Sequence, residues 1–399
     1  MNTQDYIKLE DQYGAHNYKP LDVVLNKGKG CWVTDVDGKR YLDCLSAYSA
    51  LNQGHCHPRI VQASIDQAQK IGLTSRAFRN DKLGLFYKKL VDLTGYEMAL
   101  PMNSGAEAVE TAVKIARKWA YATKGIPKYE AEIIVAEGNF HGRTTTIISF
   151  STEQFYKEMF GPFTPGFTAV PYGDIEAVRA AINPNTAAVM LEPIQGENGV
   201  VIPPDGYLKA VAEICKENNV LFIADEIQTG LCRTGKWFAS QYEDVRSDIT
   251  IIGKALSGGM YPVSAVLADK PILGLFQPGE HGSTFGGSPM AAAIGIAALE
   301  VLDEENLAER AMELGEYFRG ELRKIDAPVV KEVRGRGLLI GVELHPEAGG
   351  ARRYCEMLQE EGILAKETHD HVIRFAPPLV IEKSDLDWAL GIIADVLKR

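Results

Sequence analysis

The chain has 399 residues, of which 46% are hydrophobic and 24% are charged, a composition typical of a globular protein large enough for more than one core. Its formal net charge of −11 argues against a surface for nucleic acid or an anionic membrane, because both need clustered positive charge. The opening residues, MNTQDYIKLEDQYGAHNYKP, have no secretory pattern, and no apolar run reaches the ~18 residues that a membrane span needs. We therefore expect a cytoplasmic protein that acts on small molecules.

The cysteines give no sign of a disulfide frame or a metal centre. All 6 are scattered without a CxxC pair, which predicts reduced thiols. His55 and His57 flank Cys56, but no partner cluster follows at the spacing of a metal site. No metal is expected.

The predicted elements begin with an antiparallel hairpin and continue into a parallel sheet. Residues 31–43, CWVTDVDGKRYLD, alternate around Asp37-Gly38, a dipeptide typical of tight hairpins. From about residue 100, short apolar runs alternate with segments of helical length, which favours βαβ units. Between two of these runs, the apolar spacing from Leu208 to Cys215 predicts a crossover helix. The predicted strands are Ile133–Ala136, Thr146–Phe150, Ala188–Leu191, Val220–Ala224, Ile249–Ile252 and Val263–Leu267.

The last hundred residues predict a second, smaller unit. A long helical stretch follows Ser288, and from about Ala327 strands alternate with helices predicted at Arg352–Glu361 and Ser384–Lys398, the latter opened by a capping box of Ser384 and Asp387. We expect an α/β fold in which a mostly parallel sheet flanked by helices is joined to an α+β domain. The expected boundaries are 1–50 for an N-terminal segment that packs with the small domain, 51–300 for the large domain and 301–399 for the small domain.

Polar groups follow three of the predicted strands directly. Leu191 is followed by the stretch EPIQGE, Ala224 by Asp225 and Glu226, and Ile252 by Gly253 and Lys254. In open α/β sheets, ligands bind outside the carboxyl ends of the strands. Each charge alone is as well explained as a solvated strand end, but together they predict a site at this edge.

A lysine beside a buried carboxylate suits the chemistry of pyridoxal phosphate. The amine forms a Schiff base with the cofactor aldehyde, and the carboxylate pairs with the ring nitrogen. The cofactor phosphate needs an anion site, and the stretch NSGA opens a helix with Ser104 as N-cap and free N–H groups at Gly105 and Ala106. An ordinary capped helix would be the better interpretation without Lys254. The sequence lacks the GxGxxG and GxxxxGK[ST] patterns of dinucleotide and nucleotide sites.

An ordered set of motifs resembles the fold-type-I pyridoxal-phosphate aminotransferases that act on ω-amino groups. The resemblance covers nearly the whole chain, and the flanking stretches YGAHNYKP, LSAYSALNQGHCHP and RFAPPLVI are similar to the ornithine-specific members in particular. The motifs are NSGAEAVETAVKIAR, GNFHGRT, EPIQGENG, FIADEIQTG, GKALSGG and GSTFGGSP.

The resemblance implies how the cofactor is held. Lys254 would form the Schiff base and move the proton, and Asp225 would keep the ring nitrogen protonated. Gln228 would bind the phenolic oxygen, and Phe140 would stack on the ring. The phosphate would be bound by Ser104, Gly105 and Ala106 together with Thr284 of the partner subunit, which implies a homodimer.

The resemblance also assigns two arginines to substrate carboxylates, for which a guanidinium is the natural clamp. Arg143, helped by Tyr18, would hold the α-carboxylate of ornithine far from the cofactor. Arg374 would hold the α-carboxylate of 2-oxoglutarate or glutamate, and Glu197 would mask it while ornithine is bound. Tyr48 would line the Arg374 pocket. A surface salt bridge is the alternative for either arginine.

The implied reaction is a ping-pong transfer of the δ-amino group of ornithine to 2-oxoglutarate. It would give glutamate and glutamate 5-semialdehyde, which cyclises to pyrroline-5-carboxylate and would serve arginine breakdown or proline supply. One alternative keeps the cofactor and takes N-acetylornithine or 4-aminobutyrate as donor. Others are an aminomutase and a regulatory protein that only binds ligands on the same fold.

Overall fold

The computed structural model describes all 399 residues, and its N-terminal part consists of a helix, a β-ribbon and three further helical segments. The turn between the second and third strands contains Gly38 at a φ of +92°, and the hairpin predicted around it is confirmed. The first helix escaped prediction because no side chain of it is buried. These elements are α1 (Thr3–Tyr13), β1 (Leu25–Lys29), β2 (Trp32–Asp35), β3 (Arg40–Asp43), α2 (Ser46–Ser49), α3 (Pro58–Ala68) and α4 (Leu83–Thr94).

A seven-stranded sheet forms the centre of the molecule. Its strands are β4 (Met98–Met102), β5 (Glu132–Ala136), β6 (Phe167–Val170), β7 (Thr186–Leu191), β8 (Leu221–Asp225), β9 (Ile249–Ile252) and β10 (Ser264–Ala268). They lie in the order β4-β10-β9-β8-β7-β5-β6. β10 pairs antiparallel with β4 and β9, and the other pairs are parallel. The helices of this part are α5 (Gly105–Trp119), α6 (Thr145–Ser149), α7 (Gln154–Lys157), α8 (Ile175–Ala181), α9 (Tyr207–Glu217), α10 (Lys270–Leu273) and α11 (Pro289–Glu304). The predicted α/β fold with a mostly parallel sheet is confirmed.

One predicted strand is wrong. Residues 146–150 lie mostly in α6, where the Thr144 hydroxyl accepts a hydrogen bond from the Ile147 N–H at 3.2 Å and caps the helix. A short apolar run is compatible with either a buried strand or a buried helical turn. Here the Thr144 cap favours the helical turn. The two edge strands β4 and β6 were not predicted, because both are partly exposed and interrupt the apolar pattern.

The C-terminal part carries a four-stranded antiparallel sheet, β11-β12-β15-β14. Its elements are α12 (Leu307–Leu322), β11 (Val330–Arg336), β12 (Leu339–Leu344), α13 (Arg352–Glu360), β13 (Ile363–Leu364), β14 (Lys366–Thr368), β15 (Val372–Phe375) and α14 (Lys383–Leu397). The capping box predicted for α14 is wrong. The N-cap is Glu382, no side chain caps the helix, and Ser384 lies inside its first turn.

The N-terminal ribbon and the C-terminal part share one sheet. The short strand β13 pairs in parallel with β3, which gives the order β1-β2-β3-β13. The Arg352 guanidinium also donates to the carbonyls of Lys19 and Pro20. These contacts agree with the expected packing of the N-terminal segment on the small domain, and the division of the chain at residues 50 and 300 stays a prediction. None of the helices combines the length and the apolar character that a membrane span requires.

A glycine in α12 sets how closely this helix approaches the β11–β12 turn. A Cβ built on Gly315 would lie 2.0 Å from the carbonyl oxygen of Gly337, which is backbone and cannot rotate away. We expect Gly315→Ala to lower the free energy of unfolding by about 1–3 kcal/mol, the usual cost of overpacking. Gly320→Ala is the matched control in the same helix, because nothing lies within 4 Å of its Cβ position. The control should raise stability by about 0.5–1 kcal/mol. Urea denaturation of both variants measures the two free energies of unfolding. Equal values would contradict the close approach of α12 to the β11–β12 turn.

Candidate active site

A cavity opens at the carboxyl edge of the central sheet. Its volume is about 210 Å³. Residues that follow β5, β7, β8 and β9 converge there with the first turn of α5. The lining residues are Gly105, Ala106, Phe140, His141, Gly142, Glu192, Ile194, Glu197, Asp225, Ile227, Gln228, Thr229 and Lys254.

Lys254 reaches this cavity because β9 delivers it to the sheet edge. All four residues of β9 are buried, and Lys254 begins a 3₁₀ turn, Lys254–Ser257, with a φ of +44° that non-glycine residues rarely adopt. Burial lowers the pKa of the Lys254 amine. A lower pKa leaves a larger fraction of the amine unprotonated, and the unprotonated amine is the form that can act as a nucleophile or accept a proton.

Asp225 is the last residue of β8 and is 4% exposed. Its Oδ2 lies 2.6 Å from Nδ1 of His141, whose side chain is fully buried, and its Oδ1 accepts from the Ile227 N–H at 3.1 Å. Burial alone would lower the pKa of His141, but the hydrogen bond and charge of Asp225 raise it. Asp225 and His141 therefore form a buried, hydrogen-bonded pair that lines the cavity. His141 was not singled out from the sequence, although it adjoins Phe140 in the GNFHGRT motif.

Glu192, at the end of the buried strand β7, holds the backbone of Phe140. Its Oε1 accepts the Phe140 N–H at 2.7 Å, which fixes the loop that carries the ring into the cavity. Burial raises the pKa of Glu192 to about 7. The sequence marked Glu192 only as a strand-end charge, because its partner lies 52 residues away in the chain.

The residues of the predicted anion site lie at the first turn of α5. Ser104 is the N-cap, and it exchanges hydrogen bonds with Glu107, whose backbone N–H donates to Oγ at 3.2 Å. Gly105 and Ala106 line the cavity, and N–H groups in a first helical turn have no acceptor within the helix. Ser104 itself is exposed and does not line the cavity.

Four of the predicted residues meet around one ion pair. Nη1 of Arg374 donates to Oε1 of Glu197 at 2.7 Å, and the same oxygen accepts from Nε2 of Gln228 at 3.0 Å. The Arg374 side chain is 1% exposed, against 26% for Glu197. Burial would raise the pKa of Glu197, but the charges of Arg374 and Lys254 outweigh it and lower the pKa to about 2. The Tyr48 ring centroid lies 4.9 Å from Cζ of Arg374.

Arg143 and Tyr18 lie together on the exposed side, outside the set that lines the cavity. Cζ of Arg143 is 6.0 Å from the Tyr18 ring centroid, 5.6 Å from that of Phe140 and 4.6 Å from that of Tyr156. Arg143 makes no ion pair within the chain, so its guanidinium is available to a carboxylate. Tyr156 was missed by the sequence interpretation. Thr284 is exposed and does not line the cavity.

The cavity fits pyridoxal phosphate in its donors and acceptors. An amine, a carboxylate and a helix N-terminus surround one space, as the aldehyde, ring nitrogen and phosphate of the cofactor require. Oε1 of Gln228 is buried without a hydrogen-bond partner, while Nε2 of the same amide donates to Glu197. An unpartnered buried carbonyl is costly, which points to a donor supplied by a ligand.

Comparisons with known proteins agree with this chemistry. The family described as aminotransferase class-III matches residues 13–397. An ornithine aminotransferase from Exiguobacterium sp. is 62% identical over 99% of this chain and 98% of its own length. Among solved structures, an ornithine aminotransferase from Toxoplasma gondii with partial occupancy of PLP at its active site superposes with a TM-score of 0.98 at 46% identity, covering 99% of this chain and 94% of that one. An acetylornithine aminotransferase from Elizabethkingia anophelis superposes with a TM-score of 0.91 at 50% identity, covering 100% and 99%.

Proposed function

Because this chain belongs to the class-III aminotransferase family, we propose that it transfers the δ-amino group of ornithine to 2-oxoglutarate with pyridoxal phosphate as cofactor. One observation carries the proposal: a cavity with Lys254 and Asp225 lies beside a masked arginine, Arg374, and an unpaired one, Arg143. The names of the relatives favour ornithine as donor.

The residues of the cavity would divide the work on the cofactor. Bound pyridoxal phosphate supplies an aldehyde that accepts the amino group and a ring that withdraws electrons from the substrate carbon. Lys254 would bind the aldehyde carbon and then carry the proton between it and the substrate. Asp225, oriented by His141, would stabilise the positive ring nitrogen, and Gly105 and Ala106 would hold the phosphate.

The two arginines would take the two substrates in turn. Arg143, with the Tyr18 ring beside it, would bind the carboxylate of ornithine at the exposed side and leave the δ-amine nearest Lys254. The Glu197 carboxylate accepts a hydrogen bond from Nη1 of Arg374, and while this contact lasts it would prevent ornithine from binding there in reverse. When 2-oxoglutarate enters, its α-carboxylate would displace Glu197 from Arg374.

We expect Glu197→Ala to relax the choice of amine. Without the mask, Arg374 is free to bind the carboxylate of ornithine and present the α-amine, so δ-transfer should fall roughly tenfold or more while α-transfer becomes detectable. Chromatography of the two cyclised products from ornithine measures the ratio. Glu332→Ala, which removes the exposed carboxylate paired with Arg334, is the control and should leave the ratio unchanged. A ratio in Glu197→Ala equal to that of the unchanged chain would contradict the masking role.

The proposal includes a homodimer in which Thr284 of the partner subunit completes the phosphate site. Exposed apolar side chains support it: Ile71, Phe78 and Phe285 are 45%, 74% and 47% exposed. Their segments are close in space, since the Cβ position of Gly72 lies 3.8 Å from the Met290 side chain. Such a patch is typical of a subunit interface. Analytical sedimentation of the protein tests this assignment by measuring its mass in solution.

A cytoplasmic location stays a prediction.

The function is tested by product formation from defined donors. Purified holoenzyme given ornithine and 2-oxoglutarate should form pyrroline-5-carboxylate, detected with o-aminobenzaldehyde, and kcat/KM for ornithine should exceed that for N-acetylornithine and 4-aminobutyrate. A higher kcat/KM for either competitor would make that compound the amino donor and would leave the assignment as a pyridoxal-phosphate aminotransferase unchanged. Turnover of a single substrate without 2-oxoglutarate would instead indicate an aminomutase.

A further inference from the structure

Arg233 is a fully buried cation without a carboxylate partner. Its side chain is 0% exposed, it makes no ion pair, and burial lowers its pKa to about 9. An unpaired buried charge is expensive unless hydrogen bonds satisfy it. Arg233 lies outside the cavity and has no part in the chemistry described above, so its retention in the core needs another reason.

All three nitrogens of the Arg233 guanidinium donate hydrogen bonds. Nε and Nη2 both donate to Oδ1 of Asn52, at 3.1 and 2.6 Å, and Nη2 also donates to Oγ of Ser46 at 3.0 Å. Nη1 donates to the carbonyls of Leu338 and Pro377, at 2.9 and 2.6 Å. One planar group thus joins the N-terminal segment to the C-terminal part from a position in the large unit. A lysine ammonium, with three donors on one nitrogen, cannot reproduce this fork.

The N-terminal acceptors of Arg233 lie in and just after the turn that carries Tyr48: Ser46 is its first residue, and Asn52 follows its end by three residues. In α2, all four residues Ser46–Ser49 are left-handed, with φ between +46° and +72°, and none is glycine. Consecutive left-handed L-residues are unfavourable and persist only where surrounding contacts impose them. Ser46 also donates from Oγ to the carbonyl of Ala376 at 2.7 Å.

The C-terminal acceptors of Arg233 flank Arg374 in the same way. Pro377 lies three residues beyond Arg374 in the chain, and Leu338 directly precedes β12, whose Gly341 is paired with Arg374. The Ala376 N–H donates to the carbonyl of Cys44 at 2.6 Å. The hydrogen bonds of the Arg233 guanidinium therefore hold the backbone next to Tyr48 and the backbone next to Arg374.

We propose that Arg233 is the positioning residue of the acceptor-carboxylate clamp, because it holds the left-handed turn and the end of β15 together so that the Tyr48 ring packs on the Arg374 guanidinium. The inference rests on the proposed function, in which Arg374 binds 2-oxoglutarate. Weakening the hydrogen bonds of Arg233 should therefore slow the half-reaction with 2-oxoglutarate. The half-reaction with ornithine, which would be held at Arg143, should change much less.

The two half-reactions separate positioning from general stability. Holoenzyme in its aldehyde form is mixed with ornithine, and enzyme in its amine form is mixed with 2-oxoglutarate, with single turnovers followed by cofactor absorbance. In Arg233→Lys, the 2-oxoglutarate concentration at half-maximal rate should rise roughly tenfold or more, since a misplacement of about 1 Å has effects of that size. The corresponding value for ornithine should change by less than about threefold.

Two further variants complete the test. Ser46→Ala removes one acceptor and leaves Arg233 in place, so it should raise the 2-oxoglutarate value in the same direction by a smaller factor, and it decides the matter where Arg233→Lys does not fold. Arg246→Lys, at an exposed arginine paired with Asp269, is the matched control and should change neither value.

Equal losses in both half-reactions, or an unchanged 2-oxoglutarate value in folded Arg233→Lys or Ser46→Ala, would overturn the positioning role. Failure of the proposed function gives a different result, since the unchanged chain would then not convert ornithine at all.

Discussion

Replacing Lys254 with alanine is expected to lower the rate of transamination by about 10⁴-fold or more, because one group supplies both the covalent attachment and the proton transfer. Its position supports both tasks: β9 carries it to the cavity, and burial lowers the pKa of its amine. The visible absorbance that pyridoxal phosphate gains when bound to a lysine should disappear in Lys254→Ala, although we expect the other cavity residues, Gly105, Ala106 and Asp225, to retain the cofactor.

Two additions make the Lys254 measurement specific. A small primary amine added to Lys254→Ala should restore part of the turnover, because it supplies the missing base without the covalent tether. Lys324→Ala, at a surface lysine paired with Glu321, should behave like the unchanged chain. If Lys254→Ala kept its turnover or its visible absorbance, another amine would be the attachment point.

The second large effect is expected at Asp225. Asp225→Asn keeps the shape and removes the charge, so the ring nitrogen loses its counter-ion and turnover should fall about 10²–10³-fold, the size of a lost charge-stabilising contact in an active site. Asp225→Glu keeps the charge and should retain more activity than Asp225→Asn. Steady-state rates and the retention of cofactor on a desalting column measure both variants.

His141 provides an internal check on the role of Asp225. Its pKa is raised because Asp225 outweighs burial, so in Asp225→Asn the pKa of His141 should fall. Titration of the His141 ring by NMR in the two proteins reports this directly. An unchanged pKa, together with turnover within about twofold of the unchanged chain, would remove Asp225 from the mechanism.

Local patterns in the sequence were sufficient to predict five of the seven strands of the central sheet and its polar edge. The spacing of apolar runs predicted β5, β7, β8, β9 and β10, and NSGA predicted the capped start of α5, because each depends on neighbouring residues only. The placement of Lys254 and Asp225 follows from the rule that parallel strands present their carboxyl ends together.

Contacts between distant segments were not accessible in this way. The His141–Asp225 hydrogen bond joins residues 84 positions apart, and the Arg233 contacts reach back 181 positions to Asn52 and forward 144 to Pro377. The left-handed turn Ser46–Ser49 contains no glycine, so the sequence gives no signal for it. Tertiary contacts, and not local preference, set these features.

The selection of the δ-amine is the central claim, and labelled ornithine tests it directly. Ornithine carrying ¹⁵N at the δ position or at the α position is incubated with holoenzyme and 2-oxoglutarate, and the glutamate is analysed by mass spectrometry. If Arg143 orients ornithine while Glu197 masks Arg374, glutamate gains the label from δ-¹⁵N-ornithine and none from the α-labelled form. Equal labelling from both forms, or labelling from the α position alone, would contradict it.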